Sequence, residues 1–132
     1  MSQENVEVVR SAHEAFNRGG PRAALSYLDH QVEWHDVPDQ PEATVHHGHE
    51  GFLQAFRVFL EAFGEFTVEP EELRDLGDCV LVVGRTRGRG QGSGAEFTQD
   101  VASVWTVRDG KVVQARFFRS RSEALEAAGL RE

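Results

Sequence analysis

The side chains with the clearest chemical potential are one carboxylate and a few histidines. Asp36 closes the run Val32-Glu33-Trp34-His35-Asp36. In a strand, alternate side chains share a face, so Val32, Trp34 and Asp36 point one way and Glu33 and His35 the other. The first face carries two large apolar residues and is the one expected to be buried. Asp36 then ends a hydrophobic face, where a carboxylate is costly unless it is hydrogen-bonded, paired or kept for a purpose. Kept for a purpose, such an acid marks a candidate functional site. The plainer alternative is an aspartate that binds backbone amides of the following loop.

His13 lies within the apolar face of a first helix, between Val9 and Phe16. It is a candidate general acid or base beside Asp36; alternatively it is a core-edge histidine bonded to backbone. His46, His47 and His49, with His35 upstream, raise the question of a metal. Their spacing is loop-like, and a catalytic zinc needs three ligands in a fixed shell. The expectation is no metal, with the histidines forming a polar lid at a pocket mouth. Arg85, Arg87 and Arg89 alternate and share a strand face. They could hold an anionic ligand or a partner, but are expected to pair across a hairpin with Glu96 and Asp100. The glycines at 88, 90, 92 and 94 resemble no phosphate loop, because no helix follows them.

These side chains need elements to position them. Val6, Val9, Ala12 and Phe16 recur at helical spacing and predict a helix from about Ser2, its expected N-cap, to Arg18. Gly19-Gly20-Pro21 ends it and starts a short second helix, about Arg22 to Leu28. A strand from Gln31 to Val37 follows, then a loop from Pro38 to Gly48. Phe52, Phe56, Phe59, Leu60 and Phe63 form the stripe of a third helix, about Glu50 to Phe63. The remainder reads as strands: Phe66 to Leu73, at an edge or bulge because of Pro70; Cys79 to Arg89; Phe97 to Val107; and Val112 to Arg119. Asp109-Gly110 turns the last hairpin. Ser122 to Ala128 is a short helix with Gly129 as C-cap. Segregated helices and sequential hairpins predict an α+β fold with helices on one face of a curved, mainly antiparallel sheet.

The chain has 132 residues, fitting one domain over 1–132 with room for a true core. Its net charge of -8 repels phosphate backbones, so nucleic acid is not an expected partner. Cys79 is the one cysteine. It excludes an intrachain disulfide and fits a reducing, cytoplasmic setting. The polar N-terminus is no signal peptide, and no apolar run suggests a membrane span.

Four segments carry a family resemblance: Ala15-Phe16-Asn17-Arg18-Gly19, Val32-Glu33-Trp34-His35-Asp36, His47-Gly48-His49-Glu50-Gly51, and Val104-Trp105-Thr106-Val107-Arg108-Asp109-Gly110-Lys111-Val112-Val113 with Ser122-Glu123-Ala124-Leu125 after it. Together they resemble the SnoaL-like polyketide cyclase branch of the nuclear transport factor 2-like superfamily, over essentially the whole chain. The resemblance implies a cone-shaped sheet with the three N-terminal helices packed on its concave side, and a homodimer formed through the outer sheet face. It places Asp36 on the catalytic base of ketosteroid isomerases. The oxyanion donors of those enzymes fall on Ala12 and Ser103, and Ala12 donates nothing. One acid of the limonene-epoxide hydrolases falls on Phe117. Neither activity is therefore expected in its familiar form.

By strand alternation, Trp34, Gln99, Ser103, Trp105, Ala115, Phe117 and Arg119 should face the pocket, joined by Phe16, Phe56 and Phe59 from helices. Arg119 could anchor an acid or enol, or pair with Asp36. An aromatic cavity with few polar groups suits a flat, hydrophobic, oxygenated small molecule. The expected function is binding of such a ligand, with cofactor-free isomerisation or cyclisation through Asp36 and His13 if it is an enzyme. The alternative is a non-catalytic ligand-binding or dimerisation module.

Overall fold

In the computed structural model, residues 2–36 and 44–129 are described, apart from the side chains of Ser2, Val58 and Phe59. Helix α1 spans Ser2–Gly19, α2 Pro21–Ala24, and a 3-10 turn Leu25–Tyr27; then come strand β1 (Leu28–His35), β2 (Val45–His47), helix α3 (Gly48–Ala62), β3 (Phe63–Asp75), β4 (Cys79–Gly90), β5 (Glu96–Arg108), β6 (Lys111–Phe118) and α4 (Arg121–Ala127). The apolar stripe of α1 is buried as its spacing predicts, with Val9 fully enclosed. Gly20, at φ 82°, ends that helix with its N–H on the Phe16 carbonyl, 2.7 Å away. The second helix is shorter than its sequence suggests, because Leu28 already turns extended and starts β1.

The six strands form one sheet in the order β2-β1-β6-β5-β4-β3. All neighbours are antiparallel except β1 and β6, which run parallel. Part of the expected Pro38–Gly48 loop is strand β2, paired with β1 so that Trp34 faces His46; residues 37–43 lie outside the described ones. Pro70 behaves as read: β3 is an edge strand, and its register slips between Pro70 and Glu72. That exposed edge is partly closed by Asn17, whose side chain donates to Val68 O (2.7 Å) and accepts from Val68 N (3.0 Å), much as a neighbouring strand would. Asp109 and Gly110 both take positive φ, as a two-residue hairpin turn requires.

The concave face holds the larger core. Val32, Trp34, Val80, Val82, Trp105 and Val112 pack there against Val9, Phe16 and Phe52 of the helices. The expectation of helices on one face needs one correction. Helix α4 buries Ala124 and Leu125 against Leu81, Ala102 and Val104, which alternate with the concave residues and so lie on the opposite face. Ser120 caps it, accepting from Glu123 N at 3.1 Å.

Candidate functional site

The concave face is packed at one end of the sheet and open at the other. The open end holds a cavity of about 530 Å³, lined by Trp34, Phe56, Phe66, Phe97 and Phe117 and by the polar residues Asp36, Thr86, Gln99 and Arg119. Trp34 organises the wall: its ring meets Phe52 edge-on at 4.8 Å, Trp105 edge-on at 5.3 Å, and Phe117 at 4.8 Å. At the far rim Phe63 and Phe97 stack at 4.9 Å, nearly parallel. Gly88 lets those two rings close in: a Cβ there would stand 3.1 Å from Phe97 and 3.2 Å from Phe63.

Beyond Trp34 and Phe117 lies a second, smaller space of about 40 Å³, lined also by His13, Phe16 and Trp105. Most of the expected pocket residues thus fall on one or other space: Trp34, Phe56, Gln99, Phe117 and Arg119 on the larger, Phe16 and Trp105 on the smaller. Ala115 is core, with no exposure. Ser103 shares the concave face but lines neither of these spaces; it is 1% exposed, and its Oγ accepts the Trp105 indole N–H at 2.7 Å. That bond leaves the hydroxyl hydrogen free; it is the position of Ser103, off both spaces, that keeps it from donating to a ligand in them. The Phe59 side chain lies outside the described residues.

Asp36 is not the enclosed carboxylate that the strand pattern suggests. It stands one residue past the end of β1 with its side chain 29% exposed. Its Oδ2 lies 3.4 Å from Thr44 N and 3.2 Å from His46 Nε2, where the ring N–H donates. The loop-amide contact is the one expected of an aspartate before a turn. The histidine contact was not anticipated. It exists because β2 folds back on β1, and Gly51 leaves room for it: a Cβ at that position would be 3.0 Å from His46. The expected pairing of Asp36 with His13 does not occur, because the two line different spaces.

His13 is buried on α1, and its ring packs 4.9 Å from that of Trp105. Nδ1 donates to Val9 O at 2.8 Å. Burial pushes its pKa below the usual imidazole value, against the smaller upward pull of that hydrogen bond. The other histidines are divided among separate tasks. His35 Nε2 meets Glu33 Oε1 at 3.0 Å, and Gln114 donates to the same oxygen at 3.3 Å. These two bonds, His35 first, hold the Glu33 carboxyl below its usual range. His49 Nε2 donates to Leu28 O at 2.9 Å, and its ring stacks on His30. Among the described residues, no three His, Cys, Asp or Glu side chains are grouped to hold a metal ion.

The arginine series forms ion pairs on the outer face. Arg85 meets Asp100 at 3.3 Å and Arg89 meets Glu96 at 3.0 Å, as expected; Arg87 turns instead to Glu69 on β3, at 3.1 Å. No helix among the described residues is long and apolar enough to cross a membrane.

Comparison with known proteins gives the architecture a family. An NTF2-like protein from Burkholderia xenovorans LB400 is 30% identical, with 97% of each chain covered and a TM-score of 0.71. TerC, co-crystallised with polyporic acid, superposes with a TM-score of 0.75 at 23% identity, over 89% of this chain and 92% of its own. A protein of ketosteroid isomerase-like fold from Catenulispora acidiphila DSM 44928, in complex with trimethylamine, gives 0.73 at 18% identity, over 94% and 93%. A sequence search among curated proteins gives no significant match. Residues 9–115 match the model of the SnoaL-like domain, a span running from α1 into β6, and the chain therefore belongs to that family.

Proposed function

We propose that residues 1–132 act as one SnoaL-like unit that binds a flat, hydrophobic, oxygenated small molecule in the cone, and that Asp36 transfers a proton in a cofactor-free isomerisation or cyclisation. The cavity carries this reading. Its volume of about 530 Å³ falls within the usual range for small-molecule sites, and an aromatic wall with few polar groups is how such sites are built. A cone packed solid would have favoured a purely structural module. The fold neighbours co-crystallised with polyporic acid and with trimethylamine add support. Arg119 lines the same cavity, and in this reading it would anchor an acidic or enolic oxygen. His46, rather than His13, is the histidine that orients Asp36.

One observation favours the second reading, a non-catalytic binding module: Asp36 Oδ2 is already engaged by Thr44 and His46. Solvent exchange of the α-protons of 2-tetralone in deuterium oxide separates the two. For a catalyst, Asp36→Asn lowers the exchange rate by about 10²- to 10⁴-fold while the ketone still shifts cavity resonances. Binding without exchange above buffer in the unaltered protein would leave the module reading alone.

A homodimer through the outer sheet face belongs to the same proposal, and a clean monomer in sedimentation at micromolar concentration would count against it. A cytoplasmic setting fits the single Cys79, whose thiol burial holds protonated by raising its pKa.

A further inference from the structure

We propose that Thr86 and Gln99 together bind a hydroxyl of the ligand, so that the site selects an extended molecule with a neutral polar group remote from the end that meets Asp36. This rests on reading the cone as a small-molecule site. The two residues are direct partners across the β4–β5 ladder, and both line the large cavity. Side chains opposed in this way start about 5 Å apart. Both point to the concave side, by the alternation that carries Val82 and Ser103 there. Neither side chain hydrogen-bonds to any described residue, nor to the other. Around them on that face stand Gly84 and Val101 on one side, Gly88 and Phe97 on the other, and Val68 and Phe66 on β3. None of these six has a side chain that can make a hydrogen bond. The pair is thus a polar notch in an apolar stretch of wall. A ligand seated over it takes water from those groups, and must replace the bonds or lose them.

The chemistry of the pair narrows what it takes. A threonine hydroxyl and a primary amide each donate and accept, and neither carries charge. A ligand hydroxyl uses both capacities: its proton needs an acceptor and its oxygen a donor. Arg119, on the same cavity, only donates, and so suits a carbonyl or an anion. Asp36 accepts, but it stands elsewhere. His35 pairs with Arg116 and Phe117 with Ser103, so Asp36 lies level with Phe117 and Ser103. It is two strands from β5, and Gln99 is four residues along β5 from Ser103. On a flat sheet that is roughly 10 Å across and 13 Å along, a path that the curvature of the cone shortens. A ligand that meets both places must carry its oxygens at opposite ends of an extended frame, such as two fused rings.

The test compares 6-hydroxy-2-tetralone with 2-tetralone by nuclear magnetic resonance titration. The hydroxylated ketone should bind about three- to tenfold more tightly, the worth of one net hydrogen bond. It should also move the Gln99 side-chain amide resonances further than 2-tetralone does. The affinity ratio should fall to about one when Thr86→Val and Gln99→Met are combined. Thr86 is half-buried and Gln99 exposed, so these changes remove the polar atoms without opening the core. A ratio that survives in the double variant would give the hydroxyl to Arg119 or Asp36 and overturn the proposal. Equal affinities in the unaltered protein, with the Trp34 and Phe117 resonances perturbed, would overturn it too; either result leaves the cavity reading intact. Failure of both ketones to perturb the cavity would remove the small-molecule reading and this inference with it.

Discussion

The hairpin of β4 and β5 behaves as two different structures joined end to end. In its first half the concave pairs are Val80 with Trp105 and Val82 with Ser103, all buried, while Leu81 and Val104 pack under α4 on the other side. In its second half the concave pairs become Gly84 with Val101, Thr86 with Gln99 and Gly88 with Phe97. The outer pairs become Arg85 with Asp100 and Arg89 with Glu96. Both faces change character between Val83 and Arg85, yet the pairing runs through without a shift. The cavity therefore comes from the side chains that this half carries: Thr86, Gln99 and Phe97 line it, whereas the glycines give up their side-chain space to the β3 backbone at Gly84 and to the Phe63 and Phe97 rings at Gly88.

The largest expected effect breaks that contrast in the packed half. Trp105→Ala should cost about 3–5 kcal/mol in urea unfolding, the range for deleting a large buried aromatic. Phe97→Ala, on the cavity rim, should cost less than about 2 kcal/mol, because it is only partly buried and already borders empty space. Equal costs would mean that the second half is packed core, and the binding reading would lose its main support.

A second effect separates the buried titrating group from the exposed ones. His13 has a folded pKa below its unfolded value, so the unfolded chain binds the extra proton first. Stability should fall as pH drops below about 6.5, down to the lowered folded pKa, and then level off until the carboxylates titrate. Glu33 and Glu72, whose folded pKa values are also lowered, act in a separate window: their contribution is present above about 4.5 and is lost on further acidification. Urea midpoints from pH 7.5 to 5.5 should show the first slope in the unaltered protein and lose it in His13→Gln. A slope unchanged by that substitution would place the titrating group elsewhere.

The same division governs what could be read from the residues alone. The stripes of α1 and α3, the alternation around Trp34 and the Asp-Gly turn are local patterns, and the elements they predict form with ends displaced by a few residues. The parallel pairing of β1 with β6 and the placing of α4 on the outer face depend on contacts distant in sequence, which no local period encodes. The Asp36–His46 contact was missed for the same reason: it follows from the short β1–β2 pairing, and residues 38 to 48 read as a loop. The cavity left a signal that was open to another reading. The glycines at 88 and 90 read as part of a connection, although they belong to β4, where other groups close in on them: the Phe63 and Phe97 rings on Gly88, and Ser93 Oγ on Gly90.

The smallest expected effect concerns the outer ladder. Arg89 and Glu96 are both mostly exposed, at 51% and 76%, so their attraction is weakened by water and by salt. A double-mutant cycle with Arg89→Gln and Glu96→Gln should give a coupling of about 0.2–1 kcal/mol at low salt, fading by 0.5 M. A larger coupling that persists in salt would mean that this face is covered in solution. Ion pairs resist screening when they are taken out of water. The cycle would then point to association through the outer sheet face, and its concentration dependence would separate a second copy of the chain from burial within one.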